Sequence, residues 1–266
     1  MRSTAILLLT GLVAFSACNE KTEKSKWLPD VTNKDHGPLK QKEFSGDFDE
    51  IEVSQAIEAE IIKSDVEKVV ISAPANIIDE VLVERRGGKI HIHYNTGFRV
   101  MNTNNVTAKI YAKDFVKIIA NSAASINVKD KFTQEKTDVE ASSAASITGN
   151  LEANDLEISV DSSSSFDGKI WAVDLDVDAS SAASISISGK SKNAEMSSSS
   201  GSSINGKDVL VENLKADASS GASLEVSVTS AVDAEASSGG SVNIYKKGNV
   251  TTVKKEENSG GSVNIQ

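Results

Sequence analysis

A single-domain parallel β-helix, or β-solenoid, with rungs of about 19–20 residues and an expected right-handed course, is the fold this sequence predicts. Three observations predict it: a short small-residue phrase that recurs at nearly constant spacing, strict apolar/polar alternation between the copies, and a scarcity of proline and bulky aromatics.

The phrase is Ala-Ser-Ser, two small residues, Ser, then an aliphatic residue. It runs Ala141 to Ile147, Ala179 to Ile185, Ala218 to Leu224 and Ala236 to Val242, and looser copies end at Ile126, Phe166, Ile204 and Val263. The serine before each apolar residue falls at 125, 146, 165, 184, 203, 223, 241 and 262, so successive intervals are 21, 19, 19, 19, 20, 18 and 21. Regular spacing separates this pattern from a flexible Ser/Gly linker.

Between the copies the chain alternates, as in Leu156-Glu-Ile158-Ser-Val160, Val173-Asp-Leu175-Asp-Val177 and Leu224-Glu-Val226-Ser-Val228. That pattern marks strands with one buried face. All three prolines precede the repeat, and the chain has two Trp, three Tyr and seven Phe, so its core is aliphatic. A leucine-rich solenoid is excluded, because no Leu-x-x-Leu spacing or helical segment occurs within a unit. The small residues then belong at stacked corners, where strands repeat at about 4.8 Å and bulky side chains collide. Gly149, Gly168 and Gly206 each follow the last serine of a copy by three residues and are expected at a turn of unusual φ/ψ.

Upstream the chain divides into residues 1–17, 18–42 and 43–118 before the repeats of 119–266. Residues 1–17 combine Arg2, an apolar run from Ala5 to Phe15 and a small pair before Cys18, the pattern of a secretory signal. Cys18 resembles the acylated cysteine of a bacterial lipobox, so it is expected to carry a lipid anchor and to tie the chain to a membrane. Asn19, where Asp would mark inner-membrane retention, points to an outer-membrane lipoprotein, periplasmic or surface-exposed. Residues 18–42 read as a polar tether, and 43–118 as a strand-rich part forming either the first coils or a cap.

The chain has 38 acidic against 28 basic side chains, a formal charge of −10, and the mature chain without Arg2 carries −11. No basic patch interleaved with aromatics occurs, which excludes nucleic acid as a partner. One cysteine excludes a disulfide framework.

Candidate sites are few. His91 and His93 share one side of a strand and read as solvated imidazoles, with two histidines too few for a metal centre. Asp174, Asp176 and Asp178 lie opposite an apolar row and are candidates for a cation-binding edge, and Glu140, Asp178, Asp217 and Glu235 recur at one place in the unit. No cofactor is implied. The repeated serines have no His or Lys near them in sequence, which suits packing better than nucleophilic catalysis, and the tight intervals leave no long loops to build a catalytic cleft. A polysaccharide-acting β-helix enzyme is therefore the least favoured reading. The favoured one is a binding module presenting a solenoid face to glycan or protein, and the alternative is a structural envelope protein that self-associates through the C-terminal edge around Ser262 to Gln266.

The order of elements is itself distinctive. A Phe-x-x-Ile-x-Val opening at Phe48–Val53 leads through Asn76-Ile-Ile and Gly88-Lys-Ile-His-Ile into the first small-residue phrase. In this the chain, over residues 44–266, resembles the family described as putative auto-transporter adhesin, head GIN domain. The resemblance implies a β-helical fold and a surface or periplasmic setting in bacterial envelope proteins, and it implies no catalytic residues.

Overall fold

The computed structural model of the chain describes residues 37–97 and 106–266. It is a β-solenoid of about 8 turns with stacked parallel coils, and the recurring phrase is its corner. In Ser142–Ala145 the two central residues are left-handed, Ser143 at φ 56° and Ala144 at φ 63°, and the Ala145 amide donates to the Ser142 carbonyl at 3.3 Å. This is the pattern of a type I′ turn. All fourteen non-glycine residues of positive φ among the described residues sit at such corners.

Left-handed Ser and Ala cost roughly 1–2 kcal/mol each, and bonding between corners holds them there. The amide of Ala144 donates to the Ser162 carbonyl of the next coil at 3.0 Å, that of Ser163 to Ser181 at 3.0 Å, and that of Ala182 to Ser200 at 3.1 Å. From residue 56 to residue 238 each corner thus satisfies the backbone of its neighbour, which is how a disfavoured conformation persists.

From the corners the chain runs through β9 (Ser125–Ala141), β10 (Ser146–Val160), β11 (Ser165–Ala179), β12 (Ser184–Ser198), β13 (Ser203–Ala218) and β14 (Ser223–Ala236). Each bends twice. In β10 the buried residues are Ile147, Leu151, Ala153, Leu156, Ile158 and Val160. No residue is buried between Ile147 and Leu151, where the small Gly149 takes the inward place, and between Ala153 and Leu156 the alternation breaks with Asn154 and Asp155 both outward; the strand turns at these two places. The coil is accordingly three-sided. β15 (Ser241–Lys246), β16 (Thr252–Glu257) and β17 (Ser262–Ile265) complete the stack.

The eight serines predicted to share a register do so: Ser125, Ser146, Ser165, Ser184, Ser203, Ser223, Ser241 and Ser262 pair in one row. Hydroxyls link some of them, Ser146 to Ser125 at 3.1 Å and Ser223 to Ser203 at 3.3 Å. The expectation for Gly149, Gly168 and Gly206 is corrected. They lie within strands, and the turn is made by the small-residue phrase itself. Space explains the glycine at 168: a Cβ there would overlap the Gly149 carbonyl oxygen and press on the buried Phe166 ring at 3.0 Å.

The N-terminal region follows another plan. Here β1 (Leu39–Ser45), β2 (Glu50–Val53), β3 (Glu58–Lys63), β4 (Lys68–Pro74), β5 (Val81–Arg86), β6 (Lys89–Tyr94), β7 (Thr107–Ala112) and β8 (Lys117–Ala120) are short. β2 and β3 form one coil around a corner at Gln55 and Ala56, tied by the Ala56 amide to Ser122 at 2.9 Å. That coil lies inside the stack: β2 pairs with both β6 and β8, and β3 with both β7 and β9. After making it the chain moves outward to build the end of the solenoid, where β4 runs antiparallel to β7 and to β1, and β5 antiparallel to β6. It then returns to continue beneath. Residues 43–118 therefore supply both a first coil and a cap. β1 begins within the stretch read as tether, because Leu39 to Ser45 pair residue for residue with Pro74 to Lys68. One aliphatic core runs unbroken from Phe48 to Val263.

Candidate functional site

The outward residues of the third side form charged columns, since coils in register place like positions above one another. One column reads Lys89, Glu50, Lys117, Asp138, Glu157, Asp176, Glu195, Lys215, Asp233 and Lys254. Its signs alternate at both ends, as cross-strand pairing favours, while four carboxylates stand together in the middle. Lys136 reaches Asp138 at 3.3 Å and Asp155 and Glu157 at 3.9 Å, and Lys215 pairs with Glu195. Asp176 closes no ion pair among the described residues. Burial, with the charges of Asp178, Glu195, Glu157 and Asp155, raises its carboxyl above the usual range.

The neighbouring column runs Asp155, Asp174, Asn193, Asn213, with Asn193 Nδ2 donating to Asp174 at 2.8 Å and Asn213 Nδ2 to Asn193 at 2.9 Å. Between these columns lies an open groove of about 600 Å³ with Leu175, Ala194, Leu214 and Val232 among its lining residues. Asp174, Asp176 and Asp178 therefore share a side but fall in three separate columns, and no group of three or more acidic, His or Cys residues able to hold a metal ion occurs among the described residues. The predicted recurrence of Glu140, Asp178, Asp217 and Glu235 is one column, in which Ser159 and Ser197 separate the first three and relieve their repulsion.

His91 and His93 do share a side of β6, and their rings stack at 4.2 Å. They are not the solvated pair expected, being partly buried beside Glu52, Glu84, Arg86 and Lys89. His91 Nε2 meets Ser54 Oγ at 2.5 Å and stands 3.6 Å from Glu52. His93 Nδ1 meets the Tyr94 carbonyl at 2.8 Å. Burial, reinforced by His93 and Lys89 against the pull of Glu52, lowers the His91 pKa. Burial alone would raise the Glu52 carboxyl, but the Lys89 bond at 2.5 Å and the neighbouring charges outweigh it and hold it low. A Ser–His contact beside a carboxylate invites comparison with a hydrolase triad. Here Ser54 is 4% exposed, and Glu52 approaches the same ring nitrogen that meets the serine rather than the opposite one. A nucleophile–base–orienter relay needs both nitrogens.

The solenoid fold is shared with known proteins. The family described as putative auto-transporter adhesin, head GIN domain, matches residues 47–248. The chain belongs to this family. Adhesin-like envelope proteins of this kind have the cell envelope or surface as their setting. Among solved structures, a putative adhesin from Parabacteroides merdae is similar, at TM-score 0.79 and 16% identity over 86% of this chain and 97% of that one. A putative adhesin from Parabacteroides distasonis follows at TM-score 0.76 and 20% identity, covering 84% and 98%. A putative lipid binding protein from the same organism gives TM-score 0.74 and 21% identity, covering 86% and 97%. No curated protein matches.

This head GIN domain carries one further outward residue that the sequence reading passed over. Trp171 on the second side of β11 is 44% exposed, beside Lys169, Lys190, Asn150 and Glu152. The signal was present in Ile170-Trp171-Ala172, where alternation puts the aromatic outside. Cys18, the expected lipidation site, lies outside the described residues.

Proposed function

We propose that this chain is a non-catalytic binding module of the adhesin type, anchored to the outer membrane of a bacterial envelope through a lipid on Cys18. The observation that carries this reading is the in-register outward ladders. A rigid core holds long rows of polar side chains at fixed spacing, suited to an extended ligand, while the serines that would be nucleophiles are spent on corner and column bonding. Family membership supports the adhesin part, and the leader with Cys18 supports the anchor.

Two measurements test it. Beads coated with the purified chain should attach to polysaccharide-bearing or protein-bearing surfaces, and failure to attach to any of them would sink the reading. Protease shaving of intact cells should remove the protein, and a Cys18→Ala strain should release it to the soluble fraction; an unchanged distribution would remove the anchor.

A self-associating envelope protein is the second reading, favoured by Val253, 51% exposed on β16 at the last coil. Light scattering of the concentrated chain should then give a mass above the monomer, and a strictly monomeric solution would eliminate this reading.

A further inference from the structure

We infer that Trp171 is the stacking platform of a binding site for an acidic oligosaccharide, laid along the second side of the coils. This rests on the binding-module reading and names its ligand. Trp171 stands at the outward position between buried Ile170 and Ala172, so the strand holds its backbone rigid while the indole faces solvent. The coil that follows carries Gly189 next to it. A Cβ there would collide with the Ile170 carbonyl, so the backbones approach closely and leave an open recess of about 350 Å³ beside the indole.

The recess sets an apolar floor, built by Trp171, Ile170 and the stems of the surrounding side chains, among cationic and polar ends. Lys131, Lys169 and Lys190 stand against one carboxylate, Glu152. Lys131 pairs with Glu152 at 2.6 Å, whereas Lys169 and Lys190 close no ion pair among the described residues. In a chain of charge −10, two uncommitted lysines beside an exposed tryptophan are a local reversal of sign. A protein partner would be expected to meet Trp171 within an apolar patch ringed by polar residues. Here the apolar part is confined to the indole and Ile170, and lysine, asparagine, glutamate and glycine frame it. An apolar ring face with adjacent hydrogen-bonding and cationic groups matches a sugar ring that stacks through its C–H bonds and offers a carboxylate at its edge.

The site also continues. Asn150 and Lys169 are shared with a second groove of about 580 Å³, along which Asn127, Thr148, Asp167, Ser186 and Asn205 form one outward row. Coils repeat at about 4.8 Å, close to the advance of an extended polysaccharide per sugar unit. This row lies across the first bend from Trp171, where it can present hydrogen-bonding side chains to units that extend beyond the one stacked on the indole.

The test uses the full chain in detergent carrying Trp27→Phe, so that fluorescence reports Trp171 alone. Tetragalacturonate should quench the emission saturably and in a salt-sensitive manner, and maltotetraose, neutral and of equal length, should bind more weakly. By calorimetry Trp171→Ala should weaken tetragalacturonate about tenfold, and Trp171→Phe should recover part of the loss. Lys190→Gln should weaken it about threefold and flatten the salt dependence. Unchanged melting of each variant keeps the comparison free of misfolding. Absence of saturable binding, equal binding of maltotetraose or indifference to Trp171→Ala each overturns the proposal. If coated beads still attach while tetragalacturonate is inert, this site fails and the binding-module reading stands; if beads attach to nothing, that reading fails as well. Trp171-dependent attachment abolished by proteolysis of the target surface would identify a protein partner instead, and would also overturn it.

Discussion

The two regions of the solenoid turn the chain at equivalent corners with different residues. At the first corner Gln55 and Ala56 occupy the left-handed positions, and in the later coils Ser with Ala, Ser or Gly does so. The first corner is covered on one side by the Ser122 carbonyl and faces the cap on the other, whereas the corners from Ser143 to Gly239 lie between two corners of their own kind. A long glutamine stands at the corner that has one such corner beside it and meets the Tyr94 amide of the cap, and small residues stand where corner stacks on corner. Corner geometry is therefore a property of the stack, and the repeated phrase is the price of having neighbours on both sides.

The largest test of that comparison lies where the regions join. Phe115 precedes β8 and Phe132 lies in β9, with ring centroids 4.8 Å apart and both side chains buried. Phe132→Ala should cost about 3–5 kcal/mol in urea unfolding, and hydrogen exchange should show 68–94 and 107–112 losing protection before 146–236. Simultaneous loss in both regions would mean that the cap and the coils are one cooperative unit. Next in size is Ser181→Val, which puts a β-branched residue at φ 53° between two stacked corners and should cost about 2 kcal/mol; Ala56→Val, at φ 57° in the first corner, should cost less. A cost no smaller at residue 56 would undo the argument from neighbours.

A gain is expected from Ala182→Gly. Residue 182 has φ 63°, and the equivalent position is glycine at 201, 221, 239 and 260. Relief of the left-handed penalty, less the entropy glycine loses on folding, should leave about 0.5–1 kcal/mol. The smallest effect concerns the acidic column. Because the Asp176 pKa is raised in the fold, the folded chain holds its proton more readily than the unfolded one, and stability falls as pH rises through the carboxylate range. Asp176→Asn should then raise stability at neutral pH by about 0.5 kcal/mol and change little under acid conditions. Thermal melts at pH 7 and pH 4 separate these outcomes, and a loss at pH 7 would show the aspartate to be bound favourably.

Much of the fold was legible because it repeats. Eight serines at near-constant spacing announced a register that the strand pairing reproduces, and alternation identified the buried rows. The cap was not legible. β2 pairs with β6 on one side and β8 on the other, and nothing in a non-recurring sequence states which distant strands are neighbours. Gly149, Gly168 and Gly206 lie in strands rather than turns because glycine signals either a special φ or a close approach: Gly149 has φ 157°, and at Gly168 the approach decides. Trp171 was overlooked because a lone aromatic in an aliphatic repeat reads as core until its parity is counted. His91 and His93 were placed on the correct side, but their burial depends on Ser54 and Glu52 from another coil.

The corner register has a consequence for how such a chain can change its length. Ser165 and Ser184 occupy the same place in successive coils, so residues 165–183 are one complete turn. Excising or duplicating them would join Ser164 to Ser184, or Ala183 to a second Ser165, with every ladder meeting an equivalent partner. Single-residue gains are absorbed elsewhere, as between Asn205 and Asp208 opposite Ser186 and Ser188, where the pairing shifts by one while both flanking corners stay aligned. Lineages can therefore lengthen or shorten this scaffold in whole coils without redesigning either end, while a particular face, such as the one bearing Trp171, is carried or lost with its own turn.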